Sequence, residues 1–136
     1  MAGTFSDSGP RILLIEDEPA VARLTELILN GAGYTVQVAE NHATAIRLLA
    51  DHAYGLILAD TDRGPQTTGL AGLASLLNLA PCPVVLFTAH RFSDSEISAA
   101  GFAGVVRKPY DIDDLLRVVK EALTHGAPNG NMTAPV

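Results

Sequence analysis

Apolar and polar positions alternate along this chain in blocks. Short, wholly apolar runs trade places with longer segments whose apolar residues recur at helical spacing. Arg11 to Ile15 is the first apolar run, and it ends in Glu16, Asp17 and Glu18. A continuous run of this kind predicts a strand buried on both faces. Pro19 suits the first turn of a helix, and Val21, Leu24, Leu27 and Ile28 follow at helical spacing. Gly31 and Gly33 stop that helix. Tyr34 to Val38 predicts a second strand, and Asn41 an N-cap for a helix carrying Ala45, Ile46, Leu48 and Leu49. Gly55 to Ala59 predicts a third strand, ending at Asp60. Gly64 and Pro65 mark a loop, and Leu70, Leu73, Leu76 and Leu77 a helix within 69–80. Val84 to Phe87 predicts a fourth strand ending at Thr88, and Ser93 caps a short helix through Ala100. Ala103 to Arg107 predicts a fifth strand, followed by Lys108 and Pro109. Asp111 starts a last helix with Leu115, Leu116, Val118 and Val119 on its apolar side.

Strands alternating with helices in this way imply an α/β fold. Its sheet is five-stranded and parallel, with helices on both faces and right-handed crossovers. Ligands of such folds bind beyond the carboxyl ends of the strands, where strand order reverses. Those ends carry Glu16, Asp17, Asp60, Thr88 and Lys108. Residues 1–10 and 125–136 are small, polar or rich in Pro, Gly and Asn, and are expected to be flexible tails. The domain itself is placed at 11–124.

Composition narrows the class. The 136 residues suffice for one domain, and 48% hydrophobic content supports a true core. The net charge of -6 argues against sequence-independent nucleic-acid binding, which depends on Lys and Arg. A single cysteine, Cys82, excludes a disulfide framework or a cysteine-rich zinc site and suits a cytoplasmic setting. The amino terminus has no signal-peptide pattern. The uncharged stretch 64–89 is broken by Pro81 and Pro83, so it reads as a helix and a buried strand, not a membrane span.

Three carboxylates gathered at one sheet edge repel one another unless a cation lies between them. Hard oxygen donors suit Mg2+ or Mn2+. Lys108 adds a point charge suited to a phosphate or a carboxylate, and Thr88 a hydroxyl donor. Such a site is built to hold a phosphoryl group, and an aspartate can accept one covalently. The metal and Lys108 would offset charge on the phosphoryl oxygens during transfer.

Four motifs in register resemble the response-regulator receiver domain of two-component signalling, over residues 11 to 124. They are ILLIEDEP (12–19), YGLILAD (54–60), VVLFTAH (84–90) and VVRKPYDIDDLL (105–116). The resemblance implies a flavodoxin-like (βα)5 fold and a phosphoacceptor at Asp60, charged by a histidine kinase or a histidine phosphotransfer protein. It also implies that Asp17 and Asp60 ligate Mg2+ directly, that Glu16 helps through water, and that the backbone carbonyl of Asp62 completes the site. It implies a cis bond before Pro109. It implies docking of a histidine-bearing helix on residues 19–30 and the loop after Pro109. The chain is expected to be a stand-alone receiver, monomeric or weakly dimeric, that signals through an unknown downstream protein without binding nucleic acid or membrane. It is expected to catalyse only its own phosphorylation and dephosphorylation and otherwise to be no enzyme.

Two departures from the family pattern bear on the switch. After Asp60, Arg63 stands where the family often has methionine, and Pro65 and Gly69 each come one place late. The C-terminal receivers of hybrid kinases have a similarly lengthened loop. Three residues before Lys108, where the family commonly has an aromatic, stands Val105. A valine cannot make the inward swing of a ring. Tyr110 or Phe92 would substitute in part, and the signal is expected to pass through the loop after Thr88 and the helix at 93–100. Asp62 and His90 flank the mouth of the site and are expected to modulate phosphoryl lifetime; as plain solvated side chains they would do nothing there.

The remaining residues read as structural. Glu18 is a helix N-terminal acid, Cys82 a small buried hydrophobe, and His42, His52 and His125 surface residues. Gly101 and Gly104 make a turn, and the uncharged helix within 69–80 is mostly core, with a partner surface as the alternative. Two other readings stay open. One is a pseudo-receiver that binds partners without phosphorylation. The other is a haloacid-dehalogenase-like phosphatase, suggested by Asp60-Thr61-Asp62 but placed on the wrong strand for that family.

Overall fold

The computed structural model describes residues 10–60, 73–89 and 91–125. Strands β1 (Arg11–Ile15), β2 (Thr35–Ala39), β3 (Leu56–Asp60), β4 (Val84–Thr88) and β5 (Gly104–Arg107) form one parallel sheet in the order β2-β1-β3-β4-β5. Helices α1 (Pro19–Gly31), α2 (His42–Asp51), α3 (Ala74–Leu79), α4 (Asp94–Ala100) and α5 (Ile112–His125) connect them or follow the last strand. The expected α/β architecture is therefore present. Strand β2 begins one residue later than its apolar run, and β3 and β4 each extend to include their terminal Asp60 and Thr88.

The central strands β3 and β4 are buried along their full length. That explains their unbroken apolar sequences, because both sheet faces are covered. On one face Leu13, Ile57 and Leu86 pack with Ala45 of α2, Leu76 of α3 and Ile97 of α4. On the other, Ile12, Leu58 and Phe87 pack with Ala22 and Leu29 of α1 and with Leu115, Val118 and Val119 of α5. Gly104 lets α5 approach the sheet, since a Cβ there would lie 3.1 Å from Val118 Cγ1.

Local chemistry sets the helix ends. The Asn41 side chain accepts from the Thr44 N–H at 2.8 Å. Ser93 and Glu96 form a reciprocal capping box on α4, and Gly101 ends that helix at φ 102°. Leu115 N–H donates to the Asp111 carbonyl, so α5 starts where the sequence placed it.

Helix α1 differs from its apolar pattern. Its buried residues are Ala22, Thr25 and Leu29, whereas Leu24 and Leu27 are 53% and 52% exposed. The helix lies against the sheet on a stripe of smaller side chains flanked by Val21 and Ile28. At about 100° per residue that stripe turns Leu24 and Leu27 away from the core.

The Pro10 carbonyl accepts from Thr35 N–H at 3.1 Å, and the rest of the stretch expected to be an N-terminal tail lies outside the described residues. At the other end α5 runs through His125. No helix of the described residues is long and apolar enough to cross a membrane, and the last part of the uncharged stretch is β4.

Candidate functional site

Strand order reverses between β1 and β3, which neighbour each other while their connections leave in opposite directions. β1 delivers Glu16 and Asp17 just past its end, and β3 delivers Asp60 as its last residue. One carboxylate oxygen from each lies within 4.8 Å of the others. Glu16 and Asp60 are buried and Asp17 is half-buried.

Lys108 reaches this group from the end of β5. Its Nζ donates to Glu16 Oε1 at 2.8 Å and to Asp60 Oδ1 at 3.1 Å. The second Glu16 oxygen accepts from Glu18 N–H at 3.0 Å, at the start of α1. The ammonium also lies 4.7 Å from the centre of the Phe87 ring. A lysine tethered on both sides presents its charge at a set point, not over a wide sweep. Thr88 is fully buried, and its carbonyl accepts from Lys108 N–H at 2.9 Å. The Lys108–Pro109 bond is cis.

Hard oxygen donors from three residues, with no nitrogen or sulfur among them, fit a small divalent cation of the Mg2+ type. Asp62, expected to add a carbonyl, and His90 lie outside the described residues.

The other residues singled out divide between the two sheet faces. Val105 is half-buried and, like Phe92, packs against the cluster that holds Ile97 of α4. Tyr110 lies on the opposite face, its ring 5.7 Å from that of Phe87. Of the two aromatics considered as stand-ins, only Phe92 shares the face of Val105.

Three contacts escaped the sequence reading. Arg107 donates to the Phe92 carbonyl at 3.0 Å and to Asp94 Oδ1 at 3.1 Å, tying β5 to the start of α4. A surface cavity of about 620 Å³ lies beside this clasp, bounded by Ala89, Phe92, Arg107 and Lys108. His42, read as a surface residue, is half-buried with Nε2 3.4 Å from the Asp60 carbonyl oxygen. Thr25 and Tyr110 share a hydrogen bond of 2.9 Å. Only Thr25 left a sequence signal, as a hydroxyl between Ala22 and Leu29 on a helix face.

The response regulator receiver domain model matches residues 12–120. The transcriptional regulatory protein GlrR of Escherichia coli K12 is 31% identical over 127 residues, covering 91% of this chain and 28% of that protein. KdpE of Mycobacterium tuberculosis is 28% identical, over 92% of this chain and 56% of that protein. The chain thus spans about a quarter to about half the length of these curated relatives. Among solved structures, the N-terminal domain of a response regulator/sensory box/GGDEF protein from Carboxydothermus hydrogenoformans superposes with a TM-score of 0.70 at 29% identity. That match covers 84% of this chain and 94% of that one. A Thermotoga maritima response regulator, at 20% identity, shares the fold with a TM-score of 0.69 over 85% of this chain and 98% of that one. The chain belongs to the response regulator receiver domain family.

Proposed function

We propose that Asp60 is the phosphoacceptor of this receiver, taking a phosphoryl group from a phosphohistidine of a histidine kinase or a histidine phosphotransfer protein. The observation that carries this reading is the convergence of Glu16, Asp17 and Asp60 on one another, with the Lys108 ammonium bridging Glu16 and Asp60. Glu16, Asp17 and Asp60 would hold Mg2+ (or Mn2+). When bound, the cation offsets negative charge on the phosphoryl oxygens.

The chain's own groups supply the rest. An Asp60 carboxylate oxygen attacks phosphorus in line, the P–N bond to the donor imidazole breaks, and the imidazole nitrogen keeps the electron pair and takes a proton. Lys108 moves its hydrogen bond from the carboxylate to a phosphoryl oxygen, and the Thr88 hydroxyl donates to another. The donor helix docks on α1, where Leu24 and Leu27 present apolar surface that the core does not use. A cytoplasmic setting fits such a donor.

The acyl phosphate then shifts the segment after Thr88. Arg107 supports this route, because it ties that segment and Asp94 to the strand carrying Lys108. Val105 packs against the same cluster as Phe92 without a ring of its own. The shifted segment and α4 present the surface read by a downstream protein, and Asp62 and His90 tune how long the phosphoryl group lasts.

Incubation with phosphoramidate and MgCl2, followed by intact-mass analysis, tests the assignment. One added phosphoryl group, absent in D60N, is the expected result. No modification of the wild type favours a partner-binding domain without phosphorylation. Sustained turnover of phosphate esters favours a phosphatase.

A further inference from the structure

Thr25 is fully buried on α1, yet it carries a hydroxyl. A buried helical threonine ordinarily returns that hydroxyl to a carbonyl one turn back. Here Thr25 Oγ1 meets the Tyr110 hydroxyl at 2.9 Å, across 85 residues of sequence. Tyr110 follows Pro109 in the turn after Lys108. Its ring leans on Phe87 at 5.7 Å and 40°. Phe87 is itself fully buried, and its ring lies under the Lys108 ammonium at 4.7 Å. A continuous line of contacts therefore runs from the interior face of α1 to the cation that holds Asp60. Leu24, next to Thr25 in sequence, is half exposed on the outer side of the same helix.

We propose that Thr25 and Tyr110 are a positioning pair for the phosphoryl-transfer reaction: their shared hydrogen bond seats the Tyr110 ring on Phe87, and Phe87 sets the Lys108 ammonium at Asp60. The proposal rests on Asp60 being the phosphoacceptor. During transfer Lys108 gives up its bond to Asp60 and keeps the one to Glu16, so its flexible stem needs a second support to hold the charge in place. An aromatic face beneath the ammonium narrows them. The hydroxyl pair fixes that face relative to α1. The position of α1 and the position of Lys108 are thus coupled through one hydrogen bond, so a partner that presses on α1 acts on the charge beside Asp60.

Y110F and T25V each remove one hydroxyl and keep nearly the same volume. The assay is the rate of phosphorylation by phosphoramidate with MgCl2, a donor too small to contact α1. Each variant is expected to slow the reaction about three- to tenfold. The double variant is expected to be no slower than the worse single one, since both break the same link. Thr25→Ser keeps the hydroxyl and is expected to restore the wild-type rate. Beryllofluoride, a phosphoryl mimic, is expected to shift backbone amides of residues 22–28 in the wild type and not in Y110F. Loss of packing alone would move the unfolding midpoint without abolishing that response. Should T25V fail to fold, Y110F and Thr25→Ser decide the matter. A folded Y110F with the wild-type rate and the wild-type α1 response overturns the proposal. A wild type that takes no phosphoryl group in the same assay overturns the Asp60 assignment instead.

Discussion

Replacing Asp60 by asparagine is expected to stabilise the folded chain when no divalent cation is present. Asp60 is 2% exposed and has charged neighbours of both signs. Lys108 Nζ lies 3.1 Å from Oδ1, and at an effective dielectric constant of about 20 that attraction is worth about 5 kcal/mol. The carboxylates of Glu16 and Asp17 lie within 4.8 Å, so each repels Asp60 by about 3.5 kcal/mol on the same footing. The two repulsions exceed the one attraction by about 2 kcal/mol. Half-exposed Asp17 is screened by water, which lowers the figure, whereas desolvation of the buried carboxylate raises it. D60N keeps the shape and removes the charge, so it is expected to gain about 1–2 kcal/mol in EDTA. Excess MgCl2 is expected to reverse the order, because a cation held by the three carboxylates of the folded state at 100 times its Kd would add about 2.7 kcal/mol to the wild type. Urea unfolding followed by far-ultraviolet circular dichroism measures both effects, the chain having no tryptophan. A D60N protein less stable than wild type in EDTA would show that the Lys108 pair outweighs the carboxylate repulsion. Equal stabilisation of both proteins by MgCl2 would place the cation elsewhere.

Two further outcomes follow from local chemistry. The Ser93 backbone N–H, and then its hydroxyl, hold the Glu96 carboxyl below its ordinary value. A lowered folded value means that the contribution is complete above the ordinary carboxylate pKa and is lost as pH falls through the lowered one. The protection factors of the α4 amides, taken relative to intrinsic exchange at each pH, should therefore fall on acidification in the wild type and much less in E96Q, and S93A should cost about 1 kcal/mol at neutral pH. Burial pushes the Cys82 thiol up to about 11, so its thiolate fraction at pH 8 is about 100-fold below that of a thiol at 9.0. Iodoacetamide should label it at least that much more slowly in the folded chain than in urea, and equal rates would contradict the buried placement.

Much of this protein was legible in its sequence because its elements carry unusually plain signals. A sheet covered on both faces needs strands that are apolar throughout, so β1, β3 and β4 announced themselves as runs. The first polar residues after those runs had to lie at the carboxyl edge, and this put Glu16, Asp17, Asp60 and Thr88 on one rim, with Lys108 joining them from the end of β5. Caps such as Asn41 and Ser93 are local, since donor and acceptor lie three residues apart.

Contacts that depend on how elements lie against each other were not legible. Helical spacing marked Leu24 and Leu27 as apolar, but only the seating of α1 on Ala22, Thr25 and Leu29 turned them outward. Spacing cannot rank two apolar stripes on one helix, because the choice depends on which stripe lets the helix approach the sheet. Tyr110 and Phe92 looked equivalent as aromatics near Val105. The alternation of side chains along β5 put Val105 on the face where Phe92 packs, while the segment after Lys108 carried Tyr110 to the other face. The Arg107 clasp and the Thr25–Tyr110 bond join residues far apart in sequence through side-chain atoms alone. The sequence by itself determined the order of elements and the rim on which the chemistry gathers, because both follow from the burial each stretch requires. Only the tertiary structure decided which charge meets which, because Lys108 reaches Glu16 and Asp60 across 92 and 48 residues once the sheet has brought their strands side by side.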